Sequence, residues 1–430
     1  MHTVQTLPNL RHLRAFSATA LHMSVKRAGA DVFLSQPAVT QAVSKLETEF
    51  NEIFFTRTPT GMYCTEAGKI FLNRVDRALA ALSSIRIEPK GKAQGNTVPD
   101  ALSHLTSAHL RAMIGVADLG CFSAAAEALD ISRTSLLRTV RSLEHIFGAR
   151  MFVRSAKGVV LAPDGEIFAR HARLATREID LAREEIEHMR GNKIGSIVIG
   201  CMPLARVDIV PKAVARLLNR FPDLRVRIVE GTFSSLVVGL RSGELDLLVG
   251  ALRVPSHYPD VQERTLFSDA LSVVVRKDHP LARRHTVSLS DTIGYPWIVS
   301  SRGTPTRDLF HSAFRTRALM EPKRILEVGS NVCMRGLLLE SDRIAMVSRR
   351  QIAIEEENGL LKVLSIALPD TVRPIGITVR ADWSPSQAQS QLLEELDAIG
   401  AEVQRRLDAE RDDGAEPVRR TQTAPYLAPV

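Results

Sequence analysis

Residues 34–47 of this chain read LSQPAVTQAVSKLE, and residues 131–144 read ISRTSLLRTVRSLE. Ser35 matches Ser132, Val43 matches Val140, Leu46 matches Leu143 and Glu47 matches Glu144, each pair 97 positions apart. The first stretch carries the signals of a short helix. Ser35 is placed to cap it by accepting a backbone N–H bond, and Pro37 falls in the first turn, where its missing N–H costs nothing. Val39, Val43 and Leu46 repeat at helical spacing and make one apolar stripe. The opposite face carries Gln36, Thr40, Gln41, Ser44 and Lys45 instead of the Glu and Lys of an ordinary surface helix. Short donors and acceptors with one cation are the groups that reach base edges and phosphates.

The repeat is wider than one helix. Leu10, Leu13, Phe16 and Ala20 mark a preceding amphipathic helix, and Val25, Ala28 and Ala30 a second, short one. A helix, a tight connection and a polar-faced helix predict a helix-turn-helix. Ile53, Phe54 and Phe55, with Gly61 before Met62, Tyr63 and Cys64, predict a small hairpin that carries Arg57 towards phosphate. Thr65-Glu66-Ala67-Gly68 opens a further helix with Ile70, Phe71, Val75, Leu79 and Leu82 on its apolar face. At the same offset His12-Leu13-Arg14-Ala15 returns as His109-Leu110-Arg111-Ala112, the hairpin as Phe152-Val153-Arg154, and Gly68 as Gly165. Helix, turn, hairpin and closing helix held in one register are the mark of a duplicated domain. The second copy presents Arg133, Thr134, Ser135, Arg138 and Arg141, and Arg can take guanine bidentately or clamp phosphate. The copies are expected to read different half-sites, the alternative being that one of them serves as a packing or dimerisation piece.

Residues 34–47, the Phe55-Thr56-Arg57 segment and Thr65-Glu66-Ala67-Gly68 resemble the winged helix-turn-helix of the LysR-type transcriptional regulators, in that family's order and spacing. The resemblance implies DNA contacts from Ser35, Gln36, Pro37, Thr40, Gln41, Ser44 and Arg57 in the first copy. In the second it implies Ser132, Arg133, Thr134, Ser135, Arg138, Arg141 and Arg154. Val25-Lys26-Arg27-Ala28-Gly29 departs from the family's usual opening of the second helix, whereas Phe122-Ser123-Ala124-Ala125 keeps it; Arg133 and Thr134 stand where the family more often has Gln and Pro. Residues 166–190 form a long helical run without internal Gly or Pro. In the family this is the linker and dimerisation helix, and only the second copy is joined to it directly.

From residue 194 the pattern changes. Strand signals at 194–200, 224–229 and 246–250 alternate with helical ones at 208–221 and 234–242. A second set follows, with strands at 297–300, 325–329 and 344–347 and helices at 307–317 and 332–339. Such alternation predicts an α/β module with a largely parallel sheet, in which 270–276 and 375–380 are strands joining two lobes. Gly243-Glu244-Leu245-Asp246 and Asp278-His279-Pro280-Leu281 resemble the effector domain of the same regulators, which has a periplasmic-binding-protein-like fold. The expected fold class is multidomain: two α-helical winged helix-turn-helix domains, then a two-lobed α/β effector domain. The expected boundaries are 8–86 and 103–165 for the two heads, 87–102 for a flexible linker, 166–192 for the dimerisation helix, 194–407 for the effector domain and 408–430 for a disordered tail. By the resemblance an effector between the lobes touches Met202, Pro203, Leu204 and Arg206 on one side and Ser300, Ser301, Thr304, Ser330, Asn331 and Ser348 on the other. Arg206 or Arg302 could pair with a carboxylate, while the hydroxyl residues could equally be plain helix caps. The loop at 202–206 and the run Asp382-Trp383-Ser384-Pro385 are similar to members that sense sugars or aromatic acids, so the expected effector is a small organic anion or a sugar.

Composition serves to exclude. The formal charge is +8, and six of those charges lie in the first 193 residues, with the repeat, which suits a polyanionic partner. Cys64, Cys121, Cys201 and Cys333 lie outside metal-ligand spacing and read as free, mostly buried thiols of a cytoplasmic protein. The N-terminus MHTVQTLPNLRHLR lacks a signal-peptide core, and no apolar run is long enough to span a bilayer. No H-E-x-x-H, Walker loop or G-x-S-x-G occurs, so no metal, cofactor or enzymatic activity is expected. The expected function is a sequence-specific DNA-binding transcriptional regulator under effector control, with double-stranded DNA, a small-molecule effector and RNA polymerase as partners and a homodimer or homotetramer as the assembly. The alternative is a cytoplasmic solute-binding or sensing module whose N-terminal helical units mediate protein interaction.

Overall fold

The structure is a computed structural model that describes residues 7–87, 102–156, 158–192, 194–253 and 258–412. Side-chain caps set its first helices. Asn9 accepts from the Arg11 N–H and starts α1 (Leu10–His22), Ser24 caps α2 (Val25–Asp31), and Ser35 accepts from the Ala38 N–H to start α3 (Gln36–Phe50). A hairpin of β1 (Phe55–Thr58) and β2 (Gly61–Cys64) follows, then α4 (Glu66–Ser83), capped by Thr65. The second copy comprises α5 (Ser107–Leu119), α6 (Phe122–Ala128), α7 (Arg133–Phe147), β3 (Phe152–Ser155), β4 (Gly158–Leu161) and α8 (Pro163–Met189). Every one of these elements starts 97 residues after its counterpart.

The repeat extends to single bonds. Glu47 Oε1 accepts the Phe54 N–H at 2.9 Å, and Glu144 Oε1 accepts the Met151 N–H at 2.9 Å. Gly68 and Gly165 each lie against the backbone: a Cβ there would be 2.1 Å from the Phe54 oxygen and 2.0 Å from the Met151 oxygen. In α2 the charged Lys26 and Arg27 face solvent while Ala28 and Gly29 are buried, so the unusual opening of this helix leaves its packing face small and apolar.

The last helices of the two heads pack on each other. Phe71, Val75, Ala78 and Leu82 of α4 and Phe168, Ala172, Ala175 and Ile179 of α8 belong to one buried cluster. These are the same four positions in both copies. The first head is thus joined to the long helix by packing, although the chain itself connects only the second head to it. The expected boundary between 165 and 166 falls inside α8, and residues 88–101 of the expected linker lie outside the described residues.

The C-terminal module begins with β5 (Gly195–Cys201), α9 (Ile209–Arg220), β6 (Leu224–Glu230), α10 (Phe233–Ser242) and β7 (Leu247–Ala251), followed by β8 (Val261–Asp269) and β9 (Leu271–Arg276). Then come β10 (Trp297–Val299), α11 (Pro305–Arg315), β11 (Ile325–Glu327), α12 (Asn331–Leu339), β12 (Ile344–Ser348), α13 (Ala353–Glu357), β13 (Leu361–Val363), β14 (Arg373–Arg380) and α14 (Gln387–Asp412). They form two five-stranded sheets, of order β6-β5-β7-β14-β8 and β11-β10-β12-β9-β13. In the second sheet β10 is parallel to β11 and β12, but β9 is antiparallel to β12 and β13. That sheet is therefore mixed, because β9 and β13 enter it from outside the alternating strand–helix run. Helix α14 continues to Asp412, past the expected start of a tail at 408, and residues 413–430 lie outside the described residues.

Two compact units divide the chain: Met1–Gly200 with Leu218–Leu248 and Val379–Ser390, and Cys201–Leu217 with Val249–Thr378 and Gln391–Val430. Within the first, buried Arg177 of α8 donates to the Ser196 carbonyl at 2.7 Å and lies 3.2 Å from Asp246, whose other oxygen accepts the Val198 N–H at 2.8 Å. Arg74 of α4 donates to the Ser384 carbonyl at 3.0 Å, and Arg77 to that of Asp382. The 382–385 run, whose sequence suggested an effector class, thus offers its backbone to α4.

Candidate DNA-reading heads and effector cleft

Both polar-faced helices present their candidate residues outward. Ser35, Gln36, Pro37, Gln41 and Ser44 are exposed on or beside α3; Thr40 is half-buried and donates to the Gln36 carbonyl at 3.1 Å. On α7, Arg133, Thr134, Ser135, Arg138 and Arg141 are exposed, as is the capping Ser132. Arg57 and Arg154 are exposed on β1 and β3. The apolar stripes that hold the helices, Val39, Val43 and Leu46 with Leu136, Val140 and Leu143, are buried. Each head can therefore put one polar helix and one cationic strand against a duplex without exposing its core.

The candidate effector residues all fall within the second unit. Met202 and Leu204 are buried, whereas Pro203 is exposed and Arg206 half-buried. Thr304 caps α11, accepting from the Arg307 N–H at 3.4 Å and donating to the Ser301 carbonyl at 2.7 Å. Ser330 caps α12, and Asn331 Nδ2 donates to the Pro203 carbonyl at 3.4 Å. The 202–206 loop and the N-terminus of α12 thus meet, and the Ser300–Ser301 loop leads into α11. Helix N-termini favour anions through their free N–H groups and their dipole. Ser348 differs from the rest: it is fully buried, donates to Asp269 at 2.9 Å and accepts the Arg350 N–H at 3.3 Å, so its hydroxyl is committed inside the fold. Arg302 is 88% exposed and stands 3.9 Å from Glu327.

Sequence reasoning missed Arg373. It opens β14, donates to Thr306 in the first turn of α11 at 2.7 Å, and lies 3.9 Å from Asp269. Its Nε is buried and meets no protein acceptor among the described residues. Burial pushes its guanidinium below the ordinary range and pushes the Asp269 carboxyl up, against the pull of Arg373. Nothing in the local sequence marks this arginine, because its neighbours come from distant segments. Phe33 was also missed. It is 92% exposed in the turn before α3 and has φ +56°, where the second copy has Asp130 at φ +53°; that backbone region is costly for a bulky residue. The cysteines depart from expectation: Cys201 is buried and Cys64 half-buried, but Cys121 and Cys333 are exposed. Cys121 occupies the N-cap of α6, where the Ala124 and Ser123 N–H groups draw its thiol pKa down. No described helix is long and apolar enough to cross a membrane.

Two family models match the chain. The one described as LysR substrate binding domain matches residues 190–399, and the one described as bacterial regulatory helix-turn-helix protein, lysR family, matches twice, over 10–69 and 107–166. The HTH-type transcriptional regulator GalR of Pseudomonas putida is 31% identical over 387 residues, covering 90% of this chain and 96% of its own. The HTH-type transcriptional regulator PcaQ of Agrobacterium fabrum is 30% identical over 298 residues, covering 69% and 95%. Among solved structures, a full-length OxyR variant from Pseudomonas aeruginosa is similar with TM-score 0.54 at 22% identity, over 68% of this chain and 95% of that one, a likeness of fold.

Proposed function

The chain belongs to the LysR family of transcriptional regulators, and on that premise we propose that the outward faces of α3 and α7 read DNA and that a small organic anion held in the effector module governs the reading. As a member of the family it is a DNA-binding transcriptional regulator with an effector-binding domain. Its partners are double-stranded DNA and a small molecule. The finer assignments rest on chemistry. The polar faces carry side-chain types that pair with base edges, and Arg57 and Arg154 are exposed cations of the type that contacts phosphate.

One observation supports an anion over a neutral sugar. Buried Arg373 stands at the N-terminus of α11 with an unsatisfied Nε. A carboxylate there would meet a guanidinium and a helix dipole together; a neutral sugar would gain from neither charge. The test has two stages. A genomic fragment is first sought that the protein retains in gel shift against competitor DNA at moderate salt, as a sequence-specific reader must. Small carboxylates and neutral sugars are then titrated calorimetrically. The expected result is heat with a carboxylate, a change in DNA affinity, and loss of both in Arg373→Met. Heat with a neutral sugar alone would overturn the anion assignment.

A further inference from the structure

The two heads are related by more than their sequence. Leu10 and Ser107 are counterparts in the repeat, and they meet: the Leu10 N–H donates to Ser107 Oγ at 3.2 Å. Arg74 pairs with Glu178 at 2.9 Å. The counterpart of Arg74 is His171 and that of Glu178 is Ala81, and His171 lies beside the backbone of Ala81. A residue that touches its own counterpart, and a pair matched by its reverse, are the signature of an isologous two-fold interface, which is ordinarily made between two copies of a chain. Here both halves lie in one polypeptide. The α4–α8 core is continuous, and the seam is bolted at its edge, where Arg183 pairs with Glu49 at 2.8 Å and Arg190 with Glu52 at 2.8 Å.

We propose that the two heads form a built-in, rigid pseudo-dimer by which one chain reads one two-part DNA site whose halves differ in sequence. The proposal rests on the reading of α3 and α7 as groove helices. Two-fold related heads call for two half-sites at a fixed spacing. The side chains break the symmetry that the backbone keeps. Where the first copy exposes Gln36, Gln41 and Ser44, the second exposes Arg133, Arg138 and Arg141 at the matched positions. Gln suits adenine and Arg suits guanine, so the two halves cannot share one sequence.

The experiment uses the full-length protein and its retained fragment. Hydroxyl-radical footprinting is run on wild type, on Thr40→Ala/Gln41→Ala and on Arg133→Ala/Arg138→Ala, with thermal melts to show that these surface variants fold. The result expected is two protected halves of unlike sequence. Each double variant loses one half, a different one, and binds at least about tenfold more weakly. Inserting 5 or 10 base pairs between the halves drops binding to the single-half level, because rigidly paired heads cannot follow. Three results overturn the proposal while leaving DNA reading intact: a palindromic footprint erased by one variant pair alone, both variant pairs acting on the same half, or undiminished binding after the 10-base-pair insertion, as two tethered heads would show. Failure to retain any fragment would defeat the DNA reading and the proposal together.

Discussion

Asp180 shows how a single residue of α8 links stability to pH. Burial pushes its carboxyl from its ordinary 3.8 up to about 6, against the attraction of Arg177 and Arg183 and with added repulsion from Glu184. The folded state therefore prefers the protonated form. The stability this contributes is fully present below the unfolded value and is lost as pH rises through about 6. Asp180→Asn should melt higher than wild type at pH 7–8 and match it near pH 4. One-third of the side chain is exposed, so screening reduces the gain to roughly 1 kcal/mol. Paired thermal melts across that range check it, and a gain that does not shrink as pH falls would contradict it. At this scale the sequence was a partial guide. The DNA-face candidates could be chosen from residue type because a groove helix shows its chemistry on its own surface. Arg373 could not, because what makes it notable is a neighbour far along the chain.

At the scale of elements, the helix starts announced themselves through Ser35, Ser132 and Thr65, which cap as their residue types suggest. Most sheet strands were also visible as short apolar runs. Those that escaped, β8 and β13, have polar or very short segments, whose burial is decided by the strand beside them. Gly68 and Gly165 open the closing helices against carbonyls that leave no room for a Cβ. Gly165→Ala should cost about 3 kcal/mol through overpacking and a shifted hairpin, and Gly68→Ala a similar amount. Denaturant melts of both variants test this. A loss below about 0.5 kcal/mol would mean that the helix can slide away from the hairpin without penalty.

At the scale of the whole molecule, the shared core of α4 and α8 makes the two heads one folding unit. Hydrogen exchange should release the amides of α1, α3, α5 and α7 in a single cooperative opening; earlier release of the first head alone would show two independent bodies. Arg177 and Arg74 tie the paired helices to 196, 246 and 384 within the same unit. By itself the sequence determined that the head occurs twice in strict register, that each copy carries a different polar face, and that an α/β effector module follows, because caps, turns and apolar periods are local properties. It also marked an apolar face on α4 and an unbroken helical run in α8. Only the tertiary structure decided that these two helices bury apolar faces against each other, since an apolar face specifies that it must be covered and leaves open by what. The symmetric seam between Arg74 and Glu178, His171 and Ala81, is where that choice was made.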